Sequence, residues 1–148
     1  MYLAYIYTFE RQAIVASMKP FRGLKDRKMS DAFRNKNIRI MTAMPRRGAP
    51  FMYAWLNSPF GTAIVICKEE CDKAGLTIEE IRCMLWHEYA HIVQNATEEE
   101  ADGYAINKTS FEIWESAINK MNLFPSLHDL PVPYKHRAKY CNWCKRWR

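Results

Sequence analysis

The sequence predicts one α+β domain followed by a basic tail, and three observations carry that prediction. Residues 37 to 67 hold three short segments rich in β-branched and aromatic side chains, separated by Pro, Gly and Asn, the pattern of strands joined by tight connections. Residues 77 to 121 hold three successive helical patterns, each opened by a threonine with a glutamate three places on. The 148 residues, 49% apolar and 14% aromatic, supply one core and are too few for two ordinary ones. The domain is therefore placed at residues 1–124, and residues 125–148 form a tail that mixes Cys and Trp with Lys and Arg.

Taken in order, Leu3, Ile6, Tyr7, Ala13, Ile14 and Ser17 recur at helical spacing and predict a first helix from Tyr2 to about Met18, ended by Pro20 and Gly23. Arg22 to Asn37 is basic and weakly periodic, a loop or a short helix starting near Ser30. Asn37 to Met44 alternates as a strand does and stops at Pro45, and Phe51 to Leu56 is a second strand ended by the turn signal Asn57-Ser58-Pro59. Thr62 to Cys67 is a continuous β-branched run and the clearest strand of the chain.

Thr77 and Glu80 then open the central helix with a capping box. Ile78, Ile81, Leu85, Tyr89 and Ile92 form its apolar stripe, which leaves His87 and His91 off the stripe and facing a cleft. Thr97 with Glu100 opens a second helix to about Asn107. Thr109 with Glu112 opens a third, with Ile113, Trp114, Ala117, Ile118 and Met121 inward. Beyond Asn122, Pro125, Pro131 and Pro133 make the chain irregular.

The net charge of +6 is unevenly distributed. Residues 1 to 50 carry eleven Lys/Arg against three acids, residues 51 to 130 five against thirteen, and residues 131 to 148 six against none. An acidic middle is thus flanked by two basic ends, which suits solvated charge around a metal site or, at the ends, an anionic partner. Five cysteines, an odd number, and an apolar opening with no basic stretch before it predict reduced thiols and a cytoplasmic protein. No run approaches the roughly 20 apolar residues that cross a bilayer, so no membrane partner is expected.

Chemistry concentrates in His87-Glu88-Tyr89-Ala90-His91. Histidines at i and i+4 point from one helix face and reach one ion, while Glu88, about 100° further round, touches a water on that ion without ligating it. A hydrolytic zinc site wants three protein ligands and one open position. Glu98, Glu99, Glu100 and Asp102 are the candidates for the third. Glu98 and Asp102 share one helix face, Glu99 is turned about 100° away and Glu100 is engaged in the cap. Glu98 is then placed to bind the ion and Asp102 to accept the Nδ1 proton of a ligand histidine, His87 before His91.

His87-Glu88-Tyr89-Ala90-His91 followed by Glu98-Glu99-Glu100-Ala101-Asp102 resembles the paired HExxH and ExxAD signatures of the gluzincin metallopeptidases. In its small size the chain is similar to the minimal members, including ImmA/IrrE-type proteins of bacteria and phages. The resemblance covers about residues 60 to 106 by motif and the rest by element order. It implies a zincin-like fold: an N-terminal helix, a small three-stranded twisted sheet, the HExxH helix, the glutamate helix and a further helix. It also implies that His87, His91 and Glu98 bind one Zn2+, that Glu88 is the catalytic base, that Asp102 supports a ligand histidine, and that the substrate is a protein or peptide. An extended peptide would add to the strand Thr62 to Cys67 by main-chain hydrogen bonds, and Tyr104 or Tyr89 is a candidate oxyanion donor. One departure stands out: only six residues separate His91 from Glu98, so the chain must reverse within Asn95-Ala96-Thr97, where Asn95 tolerates the left-handed conformation required.

The tail holds a lone CxxC, Cys141 and Cys144, half of a second, structural zinc site that His128, His136 or the pair Cys67 and Cys71 would have to complete. Its Lys and Arg alternate with Tyr134, Tyr140, Trp143 and Trp147, a mixture suited to nucleic acid or to an acidic partner. Two readings follow: a zinc metallopeptidase, or a zincin-fold protein with structural zinc whose basic ends bind nucleic acid or a virion-like assembly. A regulatory protease acting on a DNA-bound partner would combine them.

Overall fold

In a computed structural model of the chain, residues 2–46 and 51–123 are described, with residues 2–9 and 123 as backbone alone. Their order is α1 (Tyr2–Ser17), β1 (Lys19–Pro20), α2 (Arg27–Asn35), β2 (Arg39–Thr42), β3 (Met52–Ser58), β4 (Gly61–Ile66), α3 (Lys68–Ala74), α4 (Ile78–Gln94), α5 (Glu98–Lys108) and α6 (Phe111–Leu123). Helices and strands mix as the sequence predicts, but the sheet has four strands rather than three, in the order β1-β2-β4-β3. The extra strand, β1, is two residues long and pairs Lys19 with Thr42 and Pro20 with Met41. No residue periodicity can signal so short an element.

β4 lies inside the sheet, parallel to β2 on one side and antiparallel to β3 on the other. Its sequence explains why: Ala63, Ile64, Val65 and Ile66 are all at most 1% exposed, and a strand apolar on both faces is stable only when covered on all sides. The position corrects one expectation. A strand with both edges paired offers no main-chain groups to a peptide, so Thr62 to Cys67 cannot be extended by strand addition; among the described residues β3 is the outer strand on that side of the sheet. The β3–β4 connection also falls later than expected. Ser58 still pairs with Gly61, its hydroxyl accepts from the Phe60 N–H, and Gly61 takes φ +85°, which a side chain would resist.

Two helices differ from their expected form. α2 starts at Arg27 rather than near Ser30, because the Asp26 carboxylate accepts from the Met29 N–H at 2.9 Å and so caps it. Met29 and Phe33, one turn apart on α2, are completely buried. α3 is a seven-residue helix with no counterpart in the sequence prediction; its core contribution is only Cys71 and Ala74, and it ends on Gly75 in the left-handed region.

α4 is the element around which the others pack, meeting α5, α6 and β3. Both bonds of its capping box form: Thr77 Oγ1 accepts from the Glu80 N–H at 3.2 Å and Glu80 Oε1 from the Thr77 N–H at 3.4 Å. The same carboxylate oxygen accepts from Lys120 Nζ at 2.5 Å, which ties the start of α4 to α6. The predicted apolar stripe is too narrow a description. Ile78 is 54% exposed, whereas Cys83, Met84, Leu85, Trp86, His87, Glu88 and Ala90 are buried together with Ile81 and Tyr89. α4 is enclosed nearly all round from Glu80 to His91. Phe33 of α2 meets Trp86 edge-on at 5.6 Å and stacks on Tyr89 at 5.1 Å, so aromatic contacts fix α2 against one side of the central helix.

The third capping box does not form. Thr109 Oγ1 donates to the Ala105 carbonyl and ends α5, and Ser110 Oγ accepts from the Ile113 N–H to start α6. Of the residues expected inward on α6, Ala117, Ile118 and Met121 are buried and Ile113 and Trp114 are partly so. Among the described residues, no helix is long and apolar enough to cross a membrane.

Candidate metal centre

The centre depends on how the chain reverses between α4 and α5. Asn95, at φ 49° and ψ 39°, ends α4 in the left-handed region, and the Asn95 and Ala96 N–H groups both reach the Ala90 carbonyl. Thr97 then caps α5 through a complete capping box with Glu100. A single residue between the two caps, Ala96, thus brings Glu98 back alongside α4. Asn95→Gly is expected to leave stability within a few tenths of a kcal/mol, and Asn95→Val to lower it by about 1–2 kcal/mol in urea unfolding. A valine variant as stable as the parent would show that the left-handed turn is not required.

His87, His91 and Glu98 come together as a buried group able to hold a metal ion. His91 Nε2 lies 3.0 Å from His87 Nε2 and 2.5 Å from Glu98 Oε1, and His87 Nε2 lies 3.1 Å from Glu98 Oε2. The other ring nitrogens face acceptors. His91 Nδ1 is 2.8 Å from the Ala96 carbonyl, and His87 Nδ1 is 2.7 Å from Asp102 Oδ1. A carbonyl oxygen can only accept, so the His91 proton sits on Nδ1; an ionised Asp102 sets the same tautomer in His87. Both Nε2 lone pairs then point at each other and at a carboxylate.

Three acceptors meeting in a closed space repel unless a cation lies between them, and one proton can bridge only one pair. Ligand atoms held about 2.0–2.1 Å from a tetrahedral ion sit about 3.3 Å apart; the two contacts of His87 Nε2, at 3.0 and 3.1 Å, come near that spacing, and the His91 Nε2–Glu98 Oε1 contact, at 2.5 Å, is shorter. The donor set therefore fits a divalent metal ion. His87 is 1% exposed, His91 and Glu98 each 3%, and Glu88 5%.

Glu99 and Glu100 lie on the exposed side of α5, away from this cluster. Tyr104 and Tyr89 belong to an aromatic group instead: their rings stack at 6.0 Å, with Trp86 at 6.1 and 5.3 Å and Lys108 Nζ over Tyr104 at 5.6 Å. Both lie two positions from a residue of the centre, about 200° round their helices. Cys67 and Cys71 are buried free thiols, and burial pushes the Cys71 thiol up to about 12. Cys141, Cys144, His128 and His136 lie outside the described residues.

One group of the centre is not visible in any motif. The Ala96 carbonyl orients His91, and its only sequence signal is the shortness of the His91-to-Glu98 gap, which forces the backbone of the turn close to the histidine. Compared with known protein families, curated proteins and solved structures, the chain matches none. The chain is a mixed α/β protein with a buried His87, His91 and Glu98 group able to hold a metal ion.

Proposed function

We propose that this chain is a zinc-dependent metallopeptidase of minimal gluzincin type, with Glu88 as general base. The observation that supports it most is the convergence of His87 Nε2, His91 Nε2 and Glu98 with both Nδ1 atoms already engaged. His87, His91 and Glu98 would hold the ion. When bound, zinc acidifies a water towards a pKa of about 7 and polarises a carbonyl.

The protein's own groups supply the rest. Asp102 and the Ala96 carbonyl keep the Nδ1 protons in place and so keep both Nε2 atoms as ligands. Glu88, one position past His87, accepts a proton from the attacking water and returns it to the leaving amine. An extended substrate would lie along β3, the outer strand. Two histidines and a carboxylate also suit Fe(II), but a buried carboxylate next to the first ligand serves proton transfer, which favours the hydrolytic ion. The test is cleavage of a peptide library by the zinc-loaded full chain, stopped by a chelator and restored by zinc. Zinc-loaded protein that cleaves nothing would count against a peptidase.

One observation favours a second reading, in which the ion is structural and the basic ends bind nucleic acid. The three candidate ligands and Glu88 are each at most 5% exposed, and structural sites are closed where catalytic ones keep a position open. Exchange-labile water on a cobalt-substituted centre would support catalysis, and a closed four-ligand spectrum would support structure.

A further inference from the structure

One stretch carries as much excess charge as the whole protein. Residues 19–39 hold eight Lys/Arg and two acids, a net +6, which equals the net charge of the full chain. Both acids are engaged locally: the Asp26 carboxylate accepts from the Met29 N–H at 2.9 Å, and Asp31 pairs with Arg34 at 2.6 Å. The other seven cations have no carboxylate within 4.0 Å among the described residues. Like charges gathered this way repel one another, a cost that an anionic partner removes.

Three of these cations meet in a groove. Arg22, Lys25 and Arg39 line a concavity of about 390 Å³ between β2 and the segment that follows β1, with Ser30 of α2 at its side and, among the described residues, no carboxylate. It shares no lining residue with the metal centre. Backbone bonds fix its wall: the Phe21 N–H donates to the Ile40 carbonyl at 3.0 Å, and Arg82 Nε of α4 donates to the Leu24 carbonyl at 2.6 Å. Leu24 is 1% exposed, so Arg22 and Lys25 stand on an anchored segment.

The basic face continues past the groove. Arg27 lies one helical turn before Ser30 and shares its side of α2, and Lys19 directly precedes Pro20, another lining residue. A small anion would need the groove alone, whereas cations spaced beyond it match a backbone that repeats its charge. Phe21 lines the same groove and is partly exposed. An aromatic face in that position stacks on a base only when the base is unpaired.

We propose that this groove binds single-stranded nucleic acid, with Arg22, Lys25 and Arg39 on backbone phosphates and Phe21 stacked on a base. The proposal places the nucleic-acid contact of the basic amino-terminal region on one surface, and it holds whether the metal is catalytic or structural.

The test is fluorescence anisotropy of the full chain with a labelled oligothymidylate of about 15 nucleotides, with a duplex of the same length and polyglutamate as competitors. The single strand should bind more tightly than the duplex, and polyglutamate of equal charge should not displace it. Arg22→Gln, Lys25→Gln and Arg39→Gln together should weaken binding at least tenfold and reduce the slope of log affinity against log salt by about 2, at about 0.7 per lost phosphate contact. Each change alone should reduce it by about 0.7, so one folded single variant is enough to decide. Phe21→Leu, which keeps an apolar side chain against the core, should weaken binding about fivefold or more. Lys135→Gln, Arg137→Gln and Lys139→Gln together, in the tail, should cost less than the three changes in the groove. The proposal is overturned if the single strand does not bind, if the groove variants or Phe21→Leu bind it as the parent does, or if the tail variant loses more. Duplex or polyglutamate binding as tightly as the single strand would also overturn it. Peptide cleavage enters none of these readouts, so their failure is separate from that of the peptidase.

Discussion

Glu98→Ala is expected to lower zinc affinity by about a hundredfold or more, while Glu99→Ala leaves it unchanged. Changes to groups that merely support a ligand cost about 10–100-fold in affinity, and Glu98 would be a ligand itself. Its carboxylate lies 2.5 and 3.1 Å from the two Nε2 atoms. Glu99, one residue on, is exposed on the other side of α5. The pair controls for charge, since each variant removes one negative charge from the same helix turn. Binding linked to folding gives a second readout. At a thousandfold excess of free zinc over the dissociation constant, the ion stabilises the folded chain by about 4 kcal/mol. That zinc-dependent rise in melting temperature should be present in Glu99→Ala and largely absent in Glu98→Ala. Equal zinc affinity in the two variants would remove Glu98 from the centre.

Glu88→Gln is expected to keep the metal and lower peptide hydrolysis by about 10²–10⁴-fold, the usual contribution of a positioned general base. Gln matches Glu in shape but cannot take up a proton at neutral pH. Glu88 is not part of the metal-holding group, so the ion should stay bound, and the change should fall on kcat rather than on metal content. His87→Ala should lose both. A Glu88→Gln chain that cleaves at the parent rate would remove this residue from the mechanism.

The parts of the chain legible in the sequence are those fixed by local chemistry. Thr77 with Glu80 and Thr97 with Glu100 announce two helix starts because capping bonds are satisfied within four residues. The grouping of His87, His91, Glu98 and Asp102 follows from helical spacing once those two starts are known. Thr109 and Ser110 show the limit: both can cap, and which helix each one serves depends on where α5 ends. The placement of β4 between β2 and β3, the two-residue β1, and the enclosure of α4 on nearly all sides depend on distant pairings that no periodicity encodes. Ile78 fits the apolar stripe by spacing and is nonetheless exposed, because it lies in the first turn of α4, ahead of the enclosed stretch. The Ala96 carbonyl is likewise invisible to side-chain patterns, as it acts through the backbone.

The most direct measurement is zinc bound per chain, by equilibrium dialysis and elemental analysis, in the parent chain and in a His87→Ala/His91→Ala variant shown by circular dichroism to be folded. The expected result is one ion fewer per chain in the variant, whatever the tail contributes. Equal zinc content in the two proteins would contradict a metal centre at His87, His91 and Glu98.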